Sequence, residues 1–321
     1  MLPGITTRSR VRMWTDRRFD DLAFEQVTLV PGERRVRLHD YYAISVTGSG
    51  GGTISSGGVR NDARPGSAYL ICPDQLWTAH AISQVWCYET LFISEQKLRT
   101  LSEEFTCATG QPIPRCGAYG LDSRTSDAAR QVLSLFQTKR SLLERIGALV
   151  EFAATVASGS WPAETTKLEP RVAQIHNLLC ENSTKHIQVP QLARLASLTP
   201  FHFTRVFSRA VGVPPHSYAT LVRVRHAENL LRSGVPIVEV ADAAGFCDQS
   251  HLSRCFRRLL GLTPGQYRKV NFFRVRPAIT EERVIAYRLR SGEKLWRYWV
   301  RLRAARGLLT QSSLLARNCI P

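Results

Sequence analysis

The sequence lacks the features that mark secreted, membrane-spanning and disulfide-stabilised proteins. Its eight cysteines form no Cys-x-x-Cys pair and show no Cys/His spacing typical of a metal site. The most apolar run, residues 146–157, is interrupted by Glu151 and is shorter than the ~20 residues that span a bilayer. No apolar segment follows the basic residues near the start, so no secretory signal is expected. We therefore expect a cytoplasmic protein with reduced thiols and without a metal or cofactor.

Acidic residues are scarce relative to basic ones, and the imbalance lies in the second half of the chain. The 321 residues include 43 Lys and Arg against 26 Asp and Glu, a formal net charge of +17. Residues 1–115 carry 13 basic and 12 acidic side chains and residues 116–169 carry six of each. Residues 170–271 carry 13 and five, and residues 272–321 carry 11 and three. This asymmetry predicts a polyanion-binding module, for nucleic acid or an acidic membrane surface, joined to a neutral one.

Short apolar segments separated by Gly and Pro turns occupy the first third of the chain. Candidate strands are residues 27–30, 41–46, 52–55, 67–71 and 85–93. The pattern predicts a sandwich or small barrel, which can hold one small ligand. The residues expected to line this effector pocket combine aromatic rings with a few polar groups: Arg37, His39, Tyr42, Trp77, His80 and Trp86. The alternative is that the aromatic members are only core or rim residues.

Residues 64–73 resemble the second half of a cupin-like barrel. In metal-binding cupins a His-x-His pair and a later His bind the ion; here Arg37-Leu38-His39 occupies the place of the pair and Trp77 that of the later His. One imidazole cannot supply the three protein ligands of a catalytic metal. The resemblance therefore implies a metal-free effector-binding domain over residues 1–115, and a cupin-type enzyme is the alternative.

Helical periodicity runs from residue 126 to residue 155, within a segment assigned to 116–158. Its apolar stripe packs either on the barrel or against a second copy of the chain, and periodicity does not distinguish the two. We expect a helical dimerisation or packing segment and a homodimer. The Gly-, Ser- and Pro-containing stretch that follows predicts a linker over residues 159–169.

The basic half contains an internal repeat. Residues 192–198 match residues 240–246 at a spacing of 48, and after one extra residue the matching positions lie 49 apart. The later pairs are Phe203 with Leu252, Arg205 with Arg254, Phe207 with Phe256, Gly212 with Gly261, Pro215 with Pro264 and Tyr218 with Tyr267. Each copy predicts a helix-turn-helix, with a turn at Ser197 or Gly245, a cap at Thr199 or Asp248, and a second helix with an exposed Arg-bearing face.

Residues 189–268 resemble the DNA-binding domain of the AraC/XylS family of transcription regulators. The second copy carries the family signature, Ile237-x-x-Val240-Ala241-x-x-x-Gly245-Phe246-x-Asp248-x-Ser250-x-Leu252-x-Arg254-x-Phe256-x-x-x-x-Gly261-x-Thr263-Pro264-x-x-Tyr267-Arg268. The resemblance implies an α+β multidomain protein with a cupin-like β-barrel, a helical dimerisation segment and an all-α double helix-turn-helix domain over residues 170–271. It implies a transcription regulator, an activator controlled by a small-molecule effector, and not an enzyme. The implied partners are double-stranded DNA, the effector, a second copy and RNA polymerase, with no membrane.

By position in the signature, the resemblance also implies the base-reading residues. They are Pro200, Phe201, Thr204 and Arg205 in the first copy and Gln249, Ser250, His251 and Arg254 in the second. Arg257 and Arg258 are candidate phosphate contacts. A connecting helix over residues 218–233 would be ~24 Å long at ~1.5 Å per residue, which suits successive major grooves about 34 Å apart. Its Arg223, Arg225 and Arg232 are expected to face phosphates or solvent.

Residues 272–321 extend beyond the resemblance. They interleave Arg with aromatic residues, as a basic amphipathic helix for DNA or membrane contact does. The alternative is an extension without a function, and the role of this tail stays open.

Overall fold

The computed structural model describes residues 9–16, 18–19, 21–82, 84–103, 113–159, 161, 170–182 and 188–270, which fall within one compact unit. Most of the expected linker, and the whole of the expected tail at 272–321, lie outside these residues. No helix within the described ranges is long and apolar enough to cross a membrane.

The N-terminal domain consists of two antiparallel sheets that enclose a shared apolar interior. Its strands are β1 Arg10–Trp14, β2 Leu22–Leu29, β3 Arg34–Arg37, β4 Tyr42–Ser49, β5 Gly52–Ser56, β6 Val59–Ala63, β7 Ala68–Ile71, β8 Trp77–Ala81, β9 Trp86–Ile93 and β10 Ala118–Gly120. The larger sheet has the order β1-β2-β9-β4-β7-β10 and the smaller one β3-β8-β5-β6. Alternate residues of β9, among them Trp86, Tyr88 and Phe92, belong to the interior cluster, as the two-residue period of a strand requires.

The five strands expected from sequence are present, as β2, β4, β5, β7 and β9. The sequence pattern does not predict the short or polar strands, such as β3 and β6. Apolar residues hardly alternate in either one, whose sequences are Arg-Arg-Val-Arg and Val-Arg-Asn-Asp-Ala. They are the two edge strands of the smaller sheet, so each pairs with only one neighbouring strand of that sheet. The hairpin that joins β5 to β6 turns on Gly57 and Gly58, whose φ angles of +55° and +81° suit a two-residue turn.

The helices between the two domains are α1 Glu95–Glu103, α2 Ser123–Gln137 and α3 Leu142–Ala157. The periodic segment 126–155 is thus divided, and the break includes Lys139 at φ +49°. Ser141 then caps α3 in a reciprocal capping box with Glu144. The apolar stripe of α2 packs on its own domain, where the ring of Phe136 lies 4.7 Å from that of Phe24.

Arg145 on α3 ties this helix to the N-terminal segment. Its side chain is fully buried, forms an ion pair with Asp16 and lies 5.3 Å from the rings of both Phe19 and Phe136. A buried charge is tolerated when it is paired in this way. The stripe therefore has an internal partner, although Leu142 and Leu143 at the start of α3 remain 42% and 51% exposed.

The C-terminal domain is helical, as predicted. Its helices are α4 Pro170–Glu181, α5 Val189–Leu195, α6 Pro200–Val211, α7 Pro215–Arg232, α8 Ile237–Ala243, α9 Gln249–Leu260 and α10 Pro264–Val270. The first repeat copy packs with α4 and the start of α7, and Leu38 of the barrel completes its core. The core of the second copy is continuous with the barrel interior through residues such as Tyr41. The two domains therefore share apolar cores.

Candidate nucleic-acid interface and effector site

The two repeat copies have the same backbone geometry at their turns. Ser197 and Gly245 both adopt left-handed conformations, with φ angles of +55° and +75°. The next residue in each copy, Leu198 or Phe246, donates its backbone N–H to the carbonyl of Ala193 or Ala241, at 2.9 Å in both cases. These equivalences confirm the predicted pair of helix-turn-helix units.

The recognition helix of the first unit is α6. Thr199 caps it by accepting the backbone N–H of His202 at 3.4 Å, and Pro200 occupies the first turn. Phe203 and Phe207 are buried, whereas Phe201 is 82% exposed. Pro200 and Arg205 are exposed as well, and Thr204 is half-buried. An apolar ring this exposed contributes nothing to the core, so it is available to contact a partner.

The recognition helix of the second unit is α9. Asp248 caps it by accepting the backbone N–H of His251 at 2.6 Å. The expected reading residues Gln249, Ser250 and Arg254 are exposed. The imidazole of His251 is half-buried and packs edge-to-face on Phe246 at 5.3 Å. The candidate phosphate contacts, Arg257 and Arg258, are exposed in the last turn of this helix.

The arginines of the connecting helix α7 are not where the sequence placed them. Arg225 forms an ion pair with Asp74, which follows β7. Arg232 forms one with Asp40, which lies between β3 and β4, at 2.5 Å. Arg223 is 8% exposed. The expectation that these three face phosphates or solvent is therefore wrong, because Arg225 and Arg232 pair with acidic residues of the barrel and Arg223 is buried.

At one end of the barrel, the structure brings together three of the six effector-pocket candidates. Arg37, His39 and Trp77 are all buried, at 1%, 1% and 0% exposure. The Trp77 indole Nε1–H donates to His39 Nε2 at 3.0 Å, and His39 Nδ1 lies 2.8 Å from the carbonyl oxygen of Tyr41. Because an indole nitrogen can only donate, His39 Nε2 accepts and Nδ1 carries the proton. Burial, and secondly the charge of Arg37, lower the pKa of His39 to about 3.

The other three candidates lie apart from this group. Tyr42 donates its hydroxyl hydrogen to the carbonyl of Pro114 at 2.8 Å, His80 is exposed, and Trp86 is in the interior, where its Nε1–H donates to Thr47 at 3.3 Å. Trp86 is fully buried against Tyr88. Among the described residues no group of three or more His, Cys, Asp or Glu side chains is placed to hold a metal ion.

A buried polar cluster joins this end of the barrel to the DNA-binding domain. We call it the junction cluster; it comprises Arg37, Asp40, Tyr41, Glu228, Arg232 and Tyr267. Arg37 Nη2 donates to the Tyr41 hydroxyl at 3.4 Å, and the guanidinium of Arg232 lies 5.8 Å from the Tyr41 ring. Glu228 is 3% exposed; burial raises its pKa, while Arg37 and Arg232 lower it.

Sequence reasoning missed Tyr41 and Glu228 of the junction cluster. Tyr41 immediately precedes β4 and adjoins the predicted pocket residue Tyr42, and in extended chain successive side chains point to opposite sides. Glu228 is an acidic residue within a basic helix, and that contrast in the sequence is the one signal that could have identified it.

Comparison with known proteins agrees with this architecture. Residues 33–152 match the family model of the AraC-like ligand binding domain, and residues 192–270 match that of a helix-turn-helix domain. The chain belongs to the AraC family of transcription regulators. This is a family of regulators and not of enzymes.

Two curated relatives are similar over part of the chain. The probable transcriptional regulator LumQ of Photobacterium leiognathi is 34% identical over 29% of this chain and 38% of its own length. The regulator GlxA of Rhizobium meliloti is 29% identical over 49% and 52%. The chain thus spans less than two thirds of the length of either relative. A crystal structure of ToxT from Vibrio cholerae O395 aligns with a TM-score of 0.44 at 13% identity, over 82% of this chain and 97% of that one.

Proposed function

We propose that this AraC-family chain is a sequence-specific DNA-binding transcription regulator, controlled by a small-molecule effector. The observation that carries the proposal is the pair of recognition helices, α6 and α9, with equivalent exposed arginines at Arg205 and Arg254. A helix with a buried apolar face and an exposed polar face, capped at its N-terminus, is the element that enters a major groove. The basic charge of residues 170–271 supplies the phosphate attraction.

Within this interface the residues divide by role. Side chains in the N-terminal halves of the recognition helices read base edges: Pro200, Phe201, Thr204 and Arg205, with Gln249, Ser250, His251 and Arg254. Arg suits guanine, Gln suits adenine and an apolar ring suits the methyl group of thymine. Arg257 and Arg258 contact phosphates and set the register without reading sequence.

The effector binds at the barrel end occupied by Arg37, His39 and Trp77. Among the described residues, Nε and Nη1 of Arg37 are buried without a hydrogen-bond partner, so they are donors for an oxygen-bearing ligand. Arg37 also belongs to the junction cluster, which includes Glu228 and Arg232 of the connecting helix. A ligand at Arg37 can bind more tightly to one arrangement of this cluster than to another. The difference between the two affinities then sets how far the ligand shifts the equilibrium between two arrangements of the DNA-binding domain.

The remaining assignments follow from this role. The protein acts in the cytoplasm as an activator, without catalytic activity, and RNA polymerase is its partner at the promoter. It forms a homodimer in which the exposed Leu142 and Leu143 at the start of α3 contribute to the contact. Apolar side chains exposed side by side favour such a contact over solvent.

The test is selection of binding sites from random-sequence DNA duplexes, followed by footprinting on the enriched site. We expect one sequence covering two adjacent major grooves on one face of the DNA. The Arg205→Ala/Arg254→Ala double variant should lose this selectivity, while Arg60→Ala, which removes an exposed arginine from β6, should keep it. Sequence-selective binding retained by the double variant would refute the proposal.

The rival function, binding to a membrane surface, rests on the basic tail alone. It predicts that deleting residues 272–321 abolishes function, whereas the regulator proposal predicts that the shortened chain still binds the selected site. If the full chain binds anionic vesicles but does not bind DNA, the result favours the rival function.

A further inference from the structure

Each recognition helix ends against the barrel. Helix α6 is followed by Gly212, whose carbonyl oxygen accepts a hydrogen bond from Arg34 Nη2 at 2.8 Å. Helix α9 is followed by Gly261, where an added Cβ would lie 2.7 Å from Cγ2 of Val11. Gly212 and Gly261 occupy equivalent positions in the repeat and are both left-handed, with φ angles of +91° and +76°.

One strand of the barrel takes part at both ends. Arg34, which bonds to the end of α6, opens β3, and β3 also packs against α9. Leu38, just after β3, is 4% exposed within the core of the first unit. On the side of the second unit, the Thr15 hydroxyl, after β1, donates to the carbonyl of Val270 at 2.7 Å.

The same face of the barrel also holds the helix between the two units. The ion pairs Arg225–Asp74 and Arg232–Asp40 attach α7 to the barrel at positions seven residues apart, about two helical turns. The barrel thus contacts the end of α6, the C-terminal half of α7 and the end of α9. The opposite ends of both recognition helices, which carry Phe201 and Gln249, are exposed.

We infer that the barrel is a bracket that sets the spacing of the two recognition helices, with Arg34 and Val11 as positioning residues. Two rigid bodies joined by one helix have freedom to bend and twist, and a third body attached to both removes it. DNA that presents two major grooves at fixed distance then binds without the cost of ordering the two units. The arrangement in which the barrel packs against both units is therefore the one that binds DNA, since it leaves the N-terminal ends of both recognition helices exposed.

The inference rests on the proposed function and uses the DNA site that wild-type protein selects. Three duplexes are compared: the full site, the full site with the sequence under the second unit scrambled, and the full site with one base pair inserted between its halves. The bracket variant is Arg34→Ala/Val11→Ala in the full chain. Arg60→Ala is the control, because it removes the same charge from β6, at the opposite edge of the same sheet.

We expect the bracket variant to lose about tenfold in affinity for the full site, which corresponds to about 1.4 kcal/mol. Its loss on the half-scrambled duplex should be less than twofold, because one unit alone needs no partner at a fixed distance. The inserted base pair, which shifts one groove by about 3.4 Å and rotates it, should penalise wild-type protein and the control more than the bracket variant. Leu76→Ala is a milder second variant, because it shortens a side chain that lies beside Gly212, and it should act in the same direction.

Three results would overturn the bracket: equal losses on the full and half-scrambled duplexes, a gain in affinity, or an unchanged penalty for the inserted base pair. If the bracket variant unfolds, the same criteria apply to Leu76→Ala. A wild-type protein that enriches no sequence overturns the proposed function and the bracket with it. If wild-type protein selects a site but the bracket variant and Leu76→Ala bind all three duplexes as Arg60→Ala does, the bracket alone is overturned.

Discussion

Acidification should destabilise the N-terminal domain through His39. This side chain is 1% exposed, and both ring nitrogens are engaged, with Nδ1–H donating to the Tyr41 carbonyl and Nε2 accepting from Trp77. A second proton on Nε2 would place two N–H groups against each other and a charge beside Arg37. Burial, chiefly, and that neighbouring charge hold the pKa of His39 at about 3 in the folded chain.

The magnitude follows from the difference between the folded and unfolded pKa values. An unperturbed histidine, as expected in the unfolded chain, has a pKa of about 6.5, so below that pH the unfolded state takes up a proton that the folded state does not. The free energy of unfolding therefore falls as pH decreases from 6.5 towards 3, by about 1.4 kcal/mol per pH unit once the unfolded histidine is protonated. At pH 5 the contribution of His39 to this loss is about 2 kcal/mol.

The assay is urea unfolding of the full chain between pH 7 and pH 5, followed by tryptophan fluorescence, for wild-type protein and His39→Gln. Glutamine does not titrate, so the variant is expected to be less stable at pH 7 but to lose about 2 kcal/mol less than wild type on going to pH 5. His80→Gln is the matched control, since this histidine on β8 is exposed, and it should follow wild type. Identical pH dependence of wild type and His39→Gln would refute the description of His39 as a buried neutral side chain.

Three further predictions concern the DNA-binding domain. Phe201→Ala should reduce the free energy of binding to the selected DNA by about 1–3 kcal/mol and leave unfolding unchanged within about 0.5 kcal/mol, because the ring is 82% exposed; a fall in thermal midpoint of several degrees would contradict it. Arg257→Ala should lower the slope of log affinity against log salt by about 1, whereas Arg225→Ala, whose guanidinium pairs with Asp74, should leave the slope unchanged, and equal slopes for the two variants would contradict this assignment. Gly245→Ala should lower the free energy of unfolding by about 1–2 kcal/mol, because φ is +75° at this position. Ser197→Gly, at the equivalent position of the repeat, should raise it by as much as about 1 kcal/mol. Chemical denaturation should therefore give changes of opposite sign for the two variants, and the same sign would contradict the shared turn geometry.

Much of the DNA-binding domain was predictable because its structure is local. The turn at Gly245 is closed by hydrogen bonds that span five residues or fewer, such as Phe246 N–H to the Ala241 carbonyl, and the cap at Asp248 spans three. Such contacts depend on which residue types are adjacent in the sequence, so they can be predicted from the sequence alone. A second copy of the same pattern then made the prediction independent of any single residue.

The barrel was predictable only where its strands are apolar. Strand β3 carries three arginines in four residues and has no amphipathic pattern, so its pairing with β8 depends on partners at least 40 residues away along the chain. The candidate pocket shows the same limit. Sequence placed Tyr42 and His39 in one site, but strand geometry and the helices packed on the larger sheet direct Tyr42 to Pro114 instead.

Residue order alone predicts two helix-turn-helix units with exposed basic recognition faces, since spacing, caps and turns are properties of neighbouring residues. The contacts of the arginines on the connecting helix depend instead on how the two domains pack. Arg225 and Arg232 bind acidic partners 151 and 192 residues away, and no local pattern indicates a pairing over such a separation. A charge on a helix looks the same in sequence whether DNA, solvent or another domain covers it, and here the barrel covers it.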